Sequence, residues 1–420
     1  MHIDSRKAVV GIAAISFAVT LAEIPPDDWF TLAALSLASG IAALALMGAA
    51  ALLGGRLKLI ESAFGGLDRV YMAHKWLAIW AFVFASIHFS FKAGLEGWET
   101  QAILTLPAFH VRLVRQLSLL ALVFILLLAL NRKIPYHRWR WWHKLSGPLF
   151  LIVILHWLSF KHPIKLASPA GIWLAGCAAP GAGAAAYKLL LYRFISRHAE
   201  YRVVKASPGA AALHLELEPV KTPLAFKLGQ FGFISLKEEG LREPHPFTIV
   251  SRSEDGHVHF VIRDLGDYTH RLTREATVGM HADIYAPFGR FSRPADGKRE
   301  VWIAGGVGIS PFIAWLTDEQ QVALSRATLF YFFTPGREFP SAARIEELTR
   351  RAAMEFVAIP TGPTAPEFLE RFEAIVREAV GENVVIAFCG PRGLLEHVRA
   401  QMRRLGVPDA NLHYEYFEFR

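Results

Sequence analysis

Two apolar stretches, residues 71–92 and 141–160, are built almost wholly from Leu, Ile, Val, Ala, Phe and Trp, yet each carries two histidines: His74 and His88, then His143 and His156. Runs this long and apolar fold as helices across a bilayer, because only a helix satisfies its own backbone there. An ionisable side chain inside such a helix is costly, so it marks a function. The steps of 14 and 13 residues put each pair roughly 20 Å apart along its axis, within a hydrocarbon core roughly 30 Å thick. Side by side, the two helices present two planes of paired imidazoles, one near each membrane face. Imidazole suits iron, and bis-histidine haem is the cofactor such planes would hold; four unrelated interfacial or packing histidines are the alternative reading. At about 100° per residue, His74 and His88 lie about 40° apart around a helix, but His156 lies about 140° from His143. Gly147-Pro148 predicts a kink or π-turn there.

The hydrophobic fraction of 53% is concentrated in the first 190 of the 420 residues. Six spans are expected, at residues 8–21, 30–53, 73–91, 113–130, 143–160 and about 169–191. The first has a charged start and a short apolar core but no small-x-small cleavage site, so it reads as a span rather than a signal peptide. The second is rich in Ala and Gly, which permit close helix packing. The N-terminus and the segments 54–71 and 131–144 hold ten Lys and Arg. The opposite loops hold five: Lys92, Arg112, Arg115, Lys161 and Lys165. The first set is therefore cytoplasmic, and Trp139, Trp141 and Trp142 beside it read as an interfacial belt. Six spans return the C-terminal half to the cytoplasm in a multi-pass protein of the cell (inner) membrane. The third and fifth spans then run the same way, pairing His74 with His143 on the inner side and His88 with His156 on the outer. A net charge of +8 comes without a basic cluster interleaved with aromatics, so nucleic acid is not an expected partner. Two cysteines, Cys177 and Cys389, imply no disulfide framework.

Three domains are expected: 1–195 transmembrane, 196–298 and 299–420. In the second, short alternating strands with turns (YRVVKAS, LHLELEPV, GQFGFISL, HPFTIVS, HVHFVIRD) predict an antiparallel barrel or sandwich. In the third, VWIA, TLFYFF, EFVAI and NVVIAFCG alternate with helical stretches, the βαβ grammar of a parallel sheet. The run from Ala304 to Phe312, AGGVGISPF, is a strand, a glycine loop and a helix start. Such a loop lets backbone approach a pyrophosphate. It lacks the G-x-G-x-x-G fingerprint, and an ordinary tight βα turn is its alternative. Cys389-Gly390-Pro391 follows the last main strand, at the edge where open α/β sheets bind ligands; a buried structural cysteine is the other reading. His245-Pro246-Phe247-Thr248 offers an aromatic and a hydroxyl for a flat ring system, and Arg263 a clamp for phosphate.

Taken together, the paired histidines, HPFT, the arginine followed by GDYT, GGVGISPF, CGP and a terminal aromatic resemble the NADPH oxidase and ferric reductase superfamily, in particular a minimal bacterial NADPH oxidase. The likeness covers essentially the whole chain. It implies a six-helix bundle, a β-barrel flavin domain and a ferredoxin-reductase-like nucleotide domain. It also implies FAD, two b-type haems, and NADPH or NADH as electron donor. By resemblance, His74 and His143 ligate the inner haem, and His88 and His156 the outer. His245, Pro246, Phe247 and Thr248 meet the flavin, while Arg263, Gly266, Asp267 and Thr269 hold its phosphates. Gly305, Gly306, Gly308, Ser310, Pro311 and Gly390 line the nicotinamide nucleotide site, with Cys389 near the nicotinamide. Phe417 or Phe419 stacks on the flavin, with Phe417 favoured, and Arg337 reads a 2′-phosphate. The implied activity is electron transfer to dioxygen outside, giving superoxide and hydrogen peroxide, with a ferric or cupric chelate as the alternative acceptor. A haem-free anchor carrying a flavin reductase is a rival of another class. There is no EF-hand loop or docking tail, so no obligatory regulatory protein is expected.

Overall fold

The structure is a computed structural model; it describes residues 3–131, 133–208, 212–252, 255–293, 298–318, 324–336, 341–379 and 384–415. The chain divides into two compact units, Met1–Ser196 and Arg197–Arg420.

The first unit is helical. Asp4 caps α1 (Ser5–Leu21) by accepting the N–H groups of Arg6 and Lys7, and Thr31 caps α2 (Leu32–Gly54). These side chains satisfy backbone donors that a helix start leaves open. The segment expected as a loop after α2 instead folds into α3 (Lys58–Phe64), which ends at Gly65 with φ 82°. A left-handed residue after a helix is where glycine carries no steric penalty. Next come α4 (Leu67–Ser90), α5 (Ala108–Leu130), α6 (Tyr136–His143), α7 (Ser146–Ser159) and α8 (Pro169–Ala186), which continues through a π-turn into α9 (Tyr192–Ile195). Among the described residues, four helices are long and apolar enough to cross a membrane: Leu32–Gly54, Leu67–Ser90, Ala108–Ile125 and Pro169–Ile195. The expected first span is shorter, at 17 residues, and the expected fifth is divided between α6 and the 14-residue α7.

At the centre of this unit, α2 packs against α1, α4 and α8, and its Ala42, Ala45 and Leu46 are wholly buried. Small residues make that possible, because hydrocarbon offers no hydrophobic drive and packing must supply the cohesion. A β-carbon on Gly48 would lie 2.4 Å from the Cys177 carbonyl oxygen of α8, and one on Gly181 would lie 2.6 Å from the Gly48 carbonyl oxygen.

The second unit holds two sheets. A closed antiparallel barrel runs β1 (His198–Pro208), β2 (Ala212–Pro219), β5 (Val258–Arg263), β4 (His245–Arg252), β3 (Phe231–Leu236), β6 (His281–Phe288), with β6 pairing back onto β1. Closure removes open edges. Strand β6 and helix α10 (Asp267–Glu275) between β5 and β6 go beyond the strands expected from the sequence; Gly266 and Asp267 open α10. The other sheet is parallel, in the order β11 (Leu412–Glu415), β10 (Val384–Cys389), β7 (Arg299–Gly305), β8 (Ala327–Phe332), β9 (Glu355–Ile359). Every residue of β8 and β10 is buried, as befits a sheet covered on both faces. The covering helices are α11 (Ser310–Leu316), α12 (Ala342–Arg351), α13 (Pro366–Glu378) and α14 (Arg392–Arg404). The two sheets are joined where the Trp315 indole N–H donates to the Leu228 carbonyl and the Thr317 hydroxyl to the Val250 carbonyl, both at 3.4 Å.

The backbone contact of α2 with α8 gives a direct test. Gly48→Ala is expected to lower the thermal unfolding midpoint of the detergent-solubilised protein, whereas Gly183→Ala, with open space around its β-carbon position, is not.

Candidate functional site

The four histidines form two pairs. The His74 and His143 ring centres are 6.0 Å apart at 82°, and those of His88 and His156 are 6.4 Å apart at 86°. Two imidazoles bound to one ion through nitrogen at about 2 Å each place their ring centres about 6 Å apart. Hydrogen bonds fix which nitrogen is available. His74 Nδ1 lies 2.8 Å from the Ala50 carbonyl oxygen and His88 Nδ1 lies 3.0 Å from the Ser36 carbonyl oxygen. A carbonyl only accepts, so Nδ1 carries the proton and Nε2 keeps its lone pair, the arrangement that orients a ligating histidine. A β-carbon on Gly40 would come 2.7 Å from His88 Nδ1, so the absent side chain makes the space for this ring. The Ser36 hydroxyl donates to the carbonyls of Phe91 (2.8 Å) and His88 (3.1 Å), tying α2 to the end of α4.

His143 and His156 are held by rings. His143 stacks on Trp139 (4.7 Å, 12°) and His156 on Phe160 (4.3 Å, 22°). Each aromatic lies four residues from its histidine, where helical neighbours meet. His156 Nδ1 is buried without a hydrogen-bond partner. The 13-residue step is accommodated, but not by Gly147-Pro148. The helix is interrupted at Lys144 and Leu145, whose N–H groups bond to Trp141 and Trp142 three residues back. Bonds of that span wind the chain tighter, at about 120° per residue against 100°, which turns His156 about 40° of the way back towards the face of His143. Pro148 sits in the first turn of α7, where its missing N–H costs little. Phe150 is buried, while Trp80 is exposed.

Among the described residues, no three His, Cys, Asp or Glu side chains gather as a metal-binding group. Two imidazoles fall short of the four ligands a bare ion takes from side chains. They match an iron whose other four positions a macrocycle fills, so these residues fit haem.

In the second unit the order of the parallel sheet creates a crevice. From β7 the chain moves to β8 and β9 on one side, then returns to β10 on the other, so the switch point lies between the carboxyl ends of β7 and β10. Ligands bind open α/β sheets there. The loop after β7 carries Gly305, a 3₁₀ turn at Gly306–Ile309, then Ser310 and Pro311 at the start of α11. The loop after β10 carries Cys389 and Gly390. The two loops touch through backbone: a β-carbon on Gly308 would lie 2.1 Å from the Cys389 carbonyl oxygen. Arg263, at the end of β5, brings Nη1 within 3.9 Å of the β-carbon position of Gly306, so the arginine clamp and the glycine loop adjoin.

The barrel residues converge as well. His245 stacks on Tyr268 at 3.7 Å and 18°, bringing the start of HPFT against GDYT. Phe247 pairs with Gly232 and Thr248 with Phe231 across β3, and Thr248 is buried. Gly266 and Asp267 open α10, where the Thr269 hydroxyl accepts the N–H groups of Leu265 (2.9 Å) and Gly266 (3.0 Å). Arg337, Phe417 and Phe419 lie outside the described residues. Glu415, which the sequence reading passed over, pairs in register with Cys389. It is buried, and its Oε1 sits 2.6 Å from where a β-carbon on Gly289 would be. Its signal was a carboxylate alternating with aromatics in HYEYFEF. Ser36, Gly40 and Ala50 were likewise missed.

By fold this is a membrane protein in which an apolar helical unit is followed by a reductase unit of the ferredoxin-reductase type. Residues 39–160 match the ferric reductase like transmembrane component, and residues 198–312 match an FAD-binding domain. That combination is the architecture of the NADPH oxidase and ferric reductase superfamily, as the motifs indicated. The toluate 1,2-dioxygenase electron transfer component of Pseudomonas putida is 28% identical over 206 residues, which cover 46% of this chain and 59% of that protein. Methane monooxygenase component C of Methylosinus trichosporium is 30% identical over 138 residues, covering 32% and 37%. The chain thus spans less than two thirds of the length of either relative. A flavohemoglobin from Malassezia yamatoensis, solved with FAD and heme bound, is similar in fold at a TM-score of 0.53 and 16% identity, covering 96% of this chain and 99% of that one.

The loop contact at Gly308 predicts that Gly308→Ala weakens NAD(P)H binding by about tenfold or more, equivalent to about 1.4 kcal/mol, while FAD content is unchanged. Gly393→Ala, with open space around it, leaves both as they are. Equilibrium titration of the purified protein with NADPH measures the difference.

Proposed function

We propose that this protein is a transmembrane flavocytochrome of the NAD(P)H oxidase type. One NADPH and two dioxygen molecules become NADP⁺, a proton and two superoxide ions, from which hydrogen peroxide follows. The observation that carries this reading is the pair of imidazole pairs, each spaced for one iron. His74 and His143 hold the inner haem, and His88 and His156 the outer. When bound, the flavin accepts a hydride and releases its electrons one at a time to haem iron, which carries them singly.

The residues of the chain bind, orient and exclude. Pro246 and Phe247 flank the flavin ring, with His245 anchored on Tyr268, and the Thr248 hydroxyl hydrogen-bonds the ring. Arg263 clamps the flavin phosphates beside Gly266, Asp267 and Thr269. Gly305, Gly306, Gly308, Ser310, Pro311 and Gly390 leave room for the dinucleotide backbone, and Arg337 reads the 2′-phosphate that favours NADPH. Cys389 borders the nicotinamide, and Phe417 or Phe419, which lie outside the described residues, is the aromatic assigned to the flavin. If His88 and His156 both ligate the outer iron, no position there would be open to dioxygen, which would then be reduced at the edge of the group. The Lys and Arg distribution supports a cytoplasmic N-terminus and reductase unit, with the helices crossing the inner membrane.

A ferric chelate as acceptor over the same electron path is the second reading, favoured by the ferric reductase match at residues 39–160. NADPH-driven cytochrome c reduction that superoxide dismutase suppresses supports dioxygen; chelate reduction under anaerobiosis without superoxide in air supports the second reading. A reduced-minus-oxidised spectrum lacking a b-type haem signal would sink both. Haem content supplies a sharper prediction. His88→Leu and Gly40→Ala are each expected to halve the haem bound per chain and to cut superoxide production by more than about tenfold. Gly54→Ala, whose β-carbon would lie an ordinary 3.8 Å from the His74 ring, is expected to keep both haems.

A further inference from the structure

Five ionisable side chains stand together on the outer face of the barrel. Strands β1, β2 and β5 adjoin there, and their registers set Lys205 opposite Glu216 and Glu216 opposite His259. His214 lies two residues before Glu216 on β2, hence on the same face, and His257 immediately precedes β5. The alternate residues Leu213, Leu215, Leu217, Val258 and Phe260 are buried in the barrel core. Two imidazoles share the Glu216 carboxylate: His257 Nδ1 lies 3.0 Å from Oε1, and His259 Nδ1 lies 4.0 Å from Oε2. The Lys205 charge acts on His214, Glu216 and His259 alike. On β4, the residue opposite His259 is the neutral Ser251.

One carboxylate balances one imidazolium. The hydrogen bond from His257 holds Glu216 below the usual carboxylate range, so a first proton taken up by the pair has a partner. Further protons meet resistance. Partial burial, then the Lys205 charge, hold His214 below the ordinary histidine value. Partial burial does the same to His259, where the charges of His257 and Lys205 oppose the pull of Glu216. A histidine depressed in the folded state stabilises the fold fully above its unfolded value of about 6.5, and that contribution is lost as pH falls below it. Like charges facing one another across strands then weaken the pairing. The pairing concerned is that of β2 with β5, which also sets Ala212 opposite Arg263, the residue offered to the flavin phosphates. Oxidation of NAD(P)H releases a proton beside this unit, so turnover acidifies the solution that the face meets.

We infer that Lys205, His214, Glu216, His257 and His259 form an acid-sensitive seam, through which protons released by turnover loosen the hold of the barrel on FAD. This rests on the flavin-reductase reading of the second unit and is independent of the haem reading.

The test follows FAD release from the full-length protein in detergent, by the rise in flavin fluorescence after dilution, at about pH 7.5 and about pH 5.5, either side of histidine titration. Wild type is expected to release FAD about fivefold faster, or more, at the lower pH. The triple variant His214→Gln, His257→Gln, His259→Gln is expected to show less than about a twofold difference. Lys205→Gln, an exposed change that reads the same seam should the triple variant not fold, is expected to shrink the wild-type ratio, and Glu216→Gln to enlarge it. His281→Gln, at a barrel histidine whose Nδ1 lies 2.9 Å from Glu200 instead, is expected to keep that ratio. Equal release at both pH values in wild type would overturn the inference. So would a wild-type ratio in the triple variant or in Lys205→Gln, or a flattened one in His281→Gln. Wild-type protein without FAD at about pH 7.5 is the separate failure, that of the flavin reading itself.

Discussion

Two hydrogen bonds from imidazole to helix backbone govern the transmembrane unit: His74 Nδ1–H to Ala50 and His88 Nδ1–H to Ser36. Each uses the second lone pair of a carbonyl inside α2. The acceptors are 14 residues apart, as are the two histidines, and so are the glycines facing them, Gly54 and Gly40. Fourteen residues are close to four helical turns of about 3.6 residues, so two antiparallel helices repeat one contact at two depths. Helix α2 is thus more than a packing surface, because its backbone aims both rings of α4. Its Ala and Gly content serves that end, since a larger side chain at Gly40 would occupy the space of His88.

The partner histidines solve the same problem differently. His143 and His156 are steadied by Trp139 and Phe160, each one helical turn away. A stacked aromatic fixes the plane of an imidazole while leaving its nitrogens uncommitted. Each pair therefore joins one ring with a committed Nδ1 to one ring set by shape. The tight turn at Lys144 and Leu145 rotates His156 part of the way towards His143, and it divides the segment into two short helices where the sequence suggested one.

In the reductase unit the controlling constraint is the close approach of two loops at the switch point of the parallel sheet. Gly308 against Cys389 allows the carboxyl ends of β7 and β10 to meet backbone to backbone. Arg263 reaches the same place from the barrel, so residues from both sheets face one crevice. Glu415 becomes part of it only because β11 pairs with β10.

The sequence by itself determined the class of each part. Long apolar runs demanded membrane helices, alternation produced the barrel strands, and βαβ order made a parallel sheet, because each pattern reports a local periodicity of burial. It also singled out the four histidines, since a polar ring in an apolar run stands out without any knowledge of its neighbours. Tertiary structure alone decided how those histidines are aimed. Ala50 and Ser36 act through backbone carbonyls, which every residue has, and Gly40 acts through an absent side chain. The β6 strand and the α3 helix were hidden for a related reason: Pro287 breaks the alternation of β6 and the seven residues of α3 are too few to show a helical period, until closure of the barrel or packing against α4 supplies a partner. Local pattern fixes what an element is, whereas the direction of a lone pair depends on which helix lies alongside it.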